Sequence, residues 1–428
     1  MLNGWRTALS CSPGASVPND EAVSLPIVDR NPFASIPYRW WWVMTLCVSL
    51  AVGVQIVTVP TFVLDRTHVR FYVALAVLCQ TVPTALFTLI GGASADRIGQ
   101  RRILRTTLAI GASTSLAFVL LSLFNVRQIW PAFIIAAVVG SASAFQSPSR
   151  QSLINRLAPG TRLQNGIIWG TLAFMGGQSF LGPALAGLTI AVFGQTAGFA
   201  LEVLLLLSAR FCASHVQVAA APSGAGSSLL TQITAGLRHV RANPSLWQVL
   251  VLGAVPGLFF IGVNQATFPV LARDTFGRGA SGIALLNAAL GVGTLTGSVL
   301  LIRWGPQHHR GRWFLCSLLP GGLACMLVGV APSLLVAMIL LTFWGLAAAI
   351  FINFASTLLQ TYTEPAYIGR VLSIYSLAFL AVVPLGNLHA GLAIQLAGPR
   401  VPFLYSGILA ALLGLIALIS FRTADSLD

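Results

Sequence analysis

The chain has 428 residues, of which 56% are hydrophobic and 8% charged, against roughly 25% charged in an average soluble protein. So few charges cannot coat a soluble surface, and the apolar residues come in long blocks without the strict alternation of a barrel strand. A soluble globule and an outer-membrane barrel are both excluded, and an all-α membrane protein remains. The net charge of +14 rests on 24 basic residues, all arginines standing singly between apolar blocks. There is no basic stripe with interleaved aromatics, so nucleic acid is not an expected partner.

Residues 1–38 form a polar leader punctuated by Pro13, Pro18, Pro26, Pro32 and Pro37. It lacks the apolar core of a secretory signal and is expected to be a flexible cytoplasmic tail. Apolar blocks then predict membrane-spanning helices near 39–64, 71–93, 104–124, 129–148, 165–188 and 196–213. These lengths match a hydrocarbon core of about 30 Å at about 1.5 Å per residue. Residues 214–245, with Pro222-Ser223-Gly224-Ala225-Gly226, have the composition of a cytoplasmic linker, followed by a possible surface helix. A second set of helices is expected near 246–272, 281–303, 312–330, 333–358, 370–396 and 400–421, with a short cytoplasmic tail over 422–428. The domains are thus two six-helix halves, 39–213 and 246–421. Cysteines 11, 47, 79, 212, 316 and 325 are scattered without metal-ligand spacing, which points to reduced thiols, no metal and no cofactor.

Arginine placement sets the orientation. With the N-terminus inside, only Arg66, Arg70, Arg127, Arg273, Arg278 and Arg400 face outward, and the other 18 are cytoplasmic. That bias places both termini inside, in a multi-pass protein of the inner membrane. The halves also repeat. Ser152-Leu-Ile-Asn155 resembles Thr357-Leu-Leu-Gln360, and Leu172-Ala-Phe174 recurs as Leu377-Ala-Phe379. Ala186-Gly-Leu188 recurs as Ala390-Gly-Leu392, and Ile190 to Gly194 resembles Ile394 to Gly398. The matches keep their order at an offset of 204 to 205 residues, so the halves run parallel about an axis along the membrane normal.

Six segments carry a family resemblance. Gly92-Ala-Ser-Ala-Asp96-Arg97-Ile-Gly99-Gln-Arg101-Arg102 joins the second and third spans. It resembles the signature loop of the major facilitator superfamily, with departures at Ser94 and Gln100. Gly176-Gly177-Gln-Ser-Phe-Leu-Gly182-Pro183-Ala-Leu-Ala-Gly187 resembles the Gly-Pro element of that superfamily's exporters, where glycines allow close helix approach and proline bends the chain. Ser149 to Asn165, Gly236 to Pro244 and Phe268 to Gly277 resemble segments of the macrolide and enterobactin exporter branch. Residues 358–371 also fit, although Pro365 and Ile368 stand where Asp and Arg are expected. The first span carries Gln55 and lacks the Asp often found in that branch.

The resemblance implies a major facilitator fold, twelve helices in two halves related by a parallel pseudo-two-fold. A gate is expected beside it, in which Asp96 closes the cytoplasmic side by meeting the start of the eleventh span near Arg370 to Ser373, with Gly369 and Arg370 as the second-half gate residues. Polar groups inside apolar blocks are the remaining candidates, because such groups are costly there unless they face a cavity or a partner. Glu202, the one acid well inside a predicted span, and His389 are candidates for proton coupling. For each the alternative is hydrogen-bonded packing, for Glu202 near the outer surface and for His389 between helices. Gln55, Gln80, Gln146, Asn264, Gln265, Asn287, Asn353 and Asn387 are candidates for a substrate cavity.

No phosphate-binding loop with its lysine exists, so ATP is not expected to drive the protein. The expected function is secondary, proton-driven export of a small amphiphilic molecule, drug-like or a siderophore, by a monomer in the lipid bilayer. An uptake symporter on the same fold is the alternative. A membrane-embedded enzyme would need clustered catalytic groups, whereas Asp274 and Glu364 stand isolated, and a membrane sensor would need an appended soluble domain.

Overall fold

A computed structural model describes residues 31–158, 163–216, 238, 240–304, 309–364 and 368–420. Among them every regular element is helical, and twelve helices are long and apolar enough to cross a membrane. In the first half these are α1 (Ile36–Thr67), α2 (Arg70–Ile98), α3 (Gln100–Leu123), α4 (Trp130–Leu157), α5 and α6 (Gln195–His215). The α5 span is composite: Leu163–Gly176, a π turn at Gly177–Leu181, then Gly182–Phe193. In the second half α7 runs as Pro244–Pro256, a π turn at Gly257–Ile261, Gly262–Val270 and a second π turn at Leu271–Thr275. It is followed by α8 (Ala280–Trp304), α9 (Arg310–Val330), α10 (Leu334–Tyr362), α11 (Ile368–Ala397) and α12 (Val401–Ser420).

Local chemistry sets the ends. His68, at φ 56°, closes α1 by returning its N–H to the Leu64 carbonyl. Asn243 opens α7, its side chain accepting from the backbone N–H groups of Ser245 and Leu246, with Pro244 at the first helical position. The loop expected over Gly92–Arg102 contracts to one residue. Gly99 takes φ +92°, a conformation open to glycine, so α2 runs to Ile98 and α3 starts at Gln100. The α4 helix runs nine residues beyond its expected end at 148, so much of the Ser149–Asn165 segment is helical.

Within the first half α1 packs on α5 and α6, α2 on α4, and α3 on α4 and α6; the second half repeats this with α7 on α11, α8 on α10 and α9 on α12. Glycines make the crossings tight. A methyl at Gly182 would fall 2.7 Å from the Cα of Gly53, and one at Gly262 would fall 2.6 Å from the Cα of Gly386. Gly140 sits on the Gln80 carbonyl as Gly345 sits on the Leu290 carbonyl. Gly182 and Gly386 are 204 residues apart, and Gly140 and Gly345 are 205 apart, the spacing of the sequence repeat. The halves meet through α2 with α11 and α5 with α8.

Candidate functional site

The first half encloses a chain of polar side chains. Gln80 Nε2 on α2 donates to Gln55 Oε1 on α1 at 3.1 Å, and Gln55 Nε2 donates to Glu202 Oε1 on α6 at 3.2 Å. Gln80 and Gln55 are half-buried, while Glu202 is only 2% exposed. The other carboxyl oxygen, Oε2, is buried without a hydrogen-bond partner among the described residues. Glu202 thus lies behind Gln55 inside the bundle. Phe199, one turn away on α6, is stacked on Phe118 at 4.8 Å.

A second cluster spans the two halves. Asn387 of α11, 0% exposed, donates through Nδ2 to Thr81 Oγ1 of α2 and to Gln265 Oε1 of α7, both at 3.4 Å. Thr81 follows Gln80 directly, so α2 carries one polar side chain toward Glu202 and the next toward the other half. His389 is not part of either group. Tyr405 Oη donates to its Nδ1 at 2.5 Å and its Nε2 donates to the Leu258 carbonyl at 3.1 Å. Both ring nitrogens are thus engaged in joining α11 to α12 and α7, the helix-contact alternative for this residue.

The remaining cavity candidates divide. Gln146 Nε2 and Asn264 Oδ1 are buried without partners among the described residues. Asn287 and Asn353 turn back onto their own helices, donating to the carbonyls of Ile283 and Ala349, and Asn353 also reaches Ser298 on α8. The side chains of Asp96 and Arg97, Gly92 beside them, and the second-half gate residues Gly369 and Arg370 lie outside the described side chains. The expected Asp96 contact lies there too. What is described beside them is Arg101 donating to the Ser214 carbonyl at the end of α6, and Arg102 exposed on α3.

The Gly-Pro element of α5 faces two ways. Gly182 and Pro183 press on Gly53 of α1, two residues before Gln55, whereas Gly187 faces Ser281 and Ala284 of α8 in the other half. In the same manner Gly391 of α11 faces Phe71 and Ala74 of α2. These contacts lie at the end of the bundle remote from Ile36, and there two ion pairs cross between the halves. Arg70 Nε meets Asp274 Oδ2 at 2.6 Å, and Arg273 Nη1 meets Asp65 Oδ1 at 2.8 Å. Asp274 is accordingly paired rather than isolated. Arginine placement puts Arg70 and Arg273 on one membrane face but does not say which acids they meet. The adjacent opposite charges Arg273-Asp274 at a helix end were the available signal.

The chain matches the family described as transmembrane secretion effector over residues 29–427. It is similar to macrolide efflux protein A of Streptococcus pyogenes, 21% identical over 353 residues, covering 81% of this chain and 87% of the relative. It is also similar to the multidrug efflux pump Tap of Mycolicibacterium fortuitum, 25% identical over 382 residues, covering 85% and 91%. The fold superposes on the crystal structure of the nucleoside transporter NupG with a TM-score of 0.74 at 11% identity, covering 90% of this chain and 100% of that one. With twelve spans and a family match across nearly its whole length, the chain belongs to the transmembrane secretion effector family of the major facilitator superfamily, and it is a multi-pass membrane transporter rather than an enzyme.

Proposed function

We propose that this transporter exports a small amphiphilic molecule, drug-like or a siderophore, in exchange for protons across the inner membrane, as a monomer with both termini cytoplasmic. The observation that carries the proton is Glu202. Amides can only hydrogen-bond, whereas a carboxyl can take up and release a proton, and this one is reached through Gln55 and Gln80. As arranged, Gln80 donates to Gln55 and Gln55 donates to Glu202, so every donor points at the carboxyl. A protonated Glu202 becomes a donor itself, and flipping the two amides reverses the chain. Protonation thereby alters hydrogen bonding at α2, whose next residue, Thr81, holds Asn387 of the other half.

Export is supported by the macrolide and multidrug efflux relatives and by the α5 Gly-Pro element. The sparse polar groups around Asn387 and Gln265 suit a bulky, weakly polar substrate. With the termini inside, the ion-paired end is the outer one, so this conformation opens toward the cytoplasm and rocks to the outward-facing state by parting Arg70 from Asp274 and Arg273 from Asp65. In that state Asp96 closes the opposite end against α11 near Arg370.

The test is uptake of radiolabelled erythromycin into everted membrane vesicles with an acid-inside gradient. Wild type should accumulate it, and collapse of the gradient should abolish accumulation. Glu202→Gln should still equilibrate erythromycin downhill but no longer respond to the gradient. Accumulation only by right-side-out vesicles would establish the uptake alternative, and a full gradient response in Glu202→Gln would remove this acid from coupling.

A further inference from the structure

On the lipid-facing side of the first half, α3 and α4 part to leave a groove of about 370 Å³. Its lining runs from Arg102 at one end past Thr106 to Ile110 on α3, and along Val138, Ser141 and Phe145 on α4. The face is lipid-facing because its residues continue the exposed apolar stripes of both helices, Ile110, Leu116 and Leu120 on α3 and Ile134 and Val138 on α4. The groove is also remote from the polar network, since α3 turns its opposite face, at Gly111, onto Leu206 of α6.

Its dimensions and chemistry select one occupant. From Arg102 to Ile110 the groove extends about 12 Å at 1.5 Å per residue, close to one leaflet of a hydrocarbon core about 30 Å thick. Arg102 stands at the headgroup end, flanked by exposed Arg101 and Arg105, with no acidic residue in the first turn of α3. Arg102 makes no ion pair among the described residues. The helix N-terminus adds partial positive charge at the same level. A guanidinium forks onto phosphate, and the wall below it is almost wholly apolar. We propose that this groove binds an anionic glycerophospholipid from the leaflet that bathes the signature loop, its phosphate on Arg102 and one acyl chain lying between α3 and α4.

The lipid would then hold the α2–α3 corner to the membrane surface, three residues from the Gly99 joint. The site is independent of proton coupling and of the substrate, so it stands or falls separately from the export reading.

Native mass spectrometry of the full chain in detergent, titrated with dioleoyl phosphatidylglycerol or phosphatidylcholine, tests it. Wild type should retain phosphatidylglycerol over phosphatidylcholine by roughly fivefold, the worth of one basic side chain at a bilayer surface. Arg102→Gln should erase that preference. Thr106→Trp, which fills the groove from an exposed position, should remove retention of both lipids. Arg105→Gln, outside the lining, should leave the preference in place. Equal retention of the two lipids by wild type, an unchanged preference in Arg102→Gln, or unchanged retention in Thr106→Trp would overturn the proposal. Equal losses in Arg105→Gln and Arg102→Gln would reduce it to diffuse attraction, and displacement of the lipid by ethidium would make the groove a drug vestibule instead.

Discussion

The two halves of this transporter share their backbone crossings but not their chemistry. Gly53 on Gly182 corresponds to Gly262 on Gly386, Gly140 on Gln80 to Gly345 on Leu290, and Gly187 on α8 to Gly391 on α2. Reading across these correspondences, Gln80 becomes Leu290, Gln55 becomes Asn264 and Glu202 becomes Ser406. The first set is linked by hydrogen bonds, whereas the Asn264 Oδ1 and the Ser406 Oγ are buried without partners among the described residues. Duplication therefore preserves what packing demands, a small residue where two backbones touch, and leaves the polar positions free to diverge. The fold is symmetric, whereas the linked polar chain and its buried acid, Glu202, lie in the first half.

The largest contrast is expected at the equivalent amides. Gln55→Leu removes the donor to a buried carboxyl and should cost about 1–3 kcal/mol in stability, with gradient-driven transport lost. Asn264→Leu removes a carbonyl that already lacks a partner and should be close to neutral by thermal unfolding and in vesicle transport. Equal effects of the two would show that the first-half network has no special standing.

The crossings themselves should respond alike. Gly182→Ala and Gly386→Ala each place a methyl within 2.7 Å of main-chain atoms, and each should destabilise by about 1–3 kcal/mol through overpacking. Because the sites lie in different halves, the double variant should be additive within about 0.5 kcal/mol. Thermal unfolding in detergent checks this, and a large difference between the single variants would break the structural symmetry.

The smallest effect is expected where the halves meet. The ion pairs between the halves are partly exposed, and pairs of that kind contribute about 0–1 kcal/mol, so Arg70→Glu should shift the population in which that end is closed by at most about fivefold. Adding Asp274→Arg should restore it. Distances between spin labels at Thr67→Cys and Arg278→Cys report the shift, and closure unaffected by either change would mean that the glycine contacts at Gly187 and Gly391 suffice.

Much of this architecture was legible in the chain. Twelve apolar blocks of membrane-spanning length give twelve helices because in hydrocarbon a backbone must satisfy itself locally. The offset of about 204 residues is visible in four short matches and returns as the spacing between Gly182 and Gly386. The signature segment was recognised, but its length as a loop was not, because hydropathy falls at Gly92 while the helix continues to Ile98. Only the φ of Gly99 marks the turn.

What the sequence by itself determined is the solvent, the span count, the repeat and the presence of one acid inside the sixth span. Each is written in runs of neighbouring residues, because hydropathy and helix formation act over consecutive positions. The tertiary structure decided which polar groups act together. Gln55 and Glu202 are 147 residues apart, Arg70 and Asp274 are 204 apart, and Asn387 reaches Thr81 across 306. A hydrogen bond depends on distances of about 3 Å, and only helix packing brings such remote positions that close. The same packing separated His389 from the network: alike in sequence as an ionisable residue within a span, it spends both nitrogens on neighbouring helices.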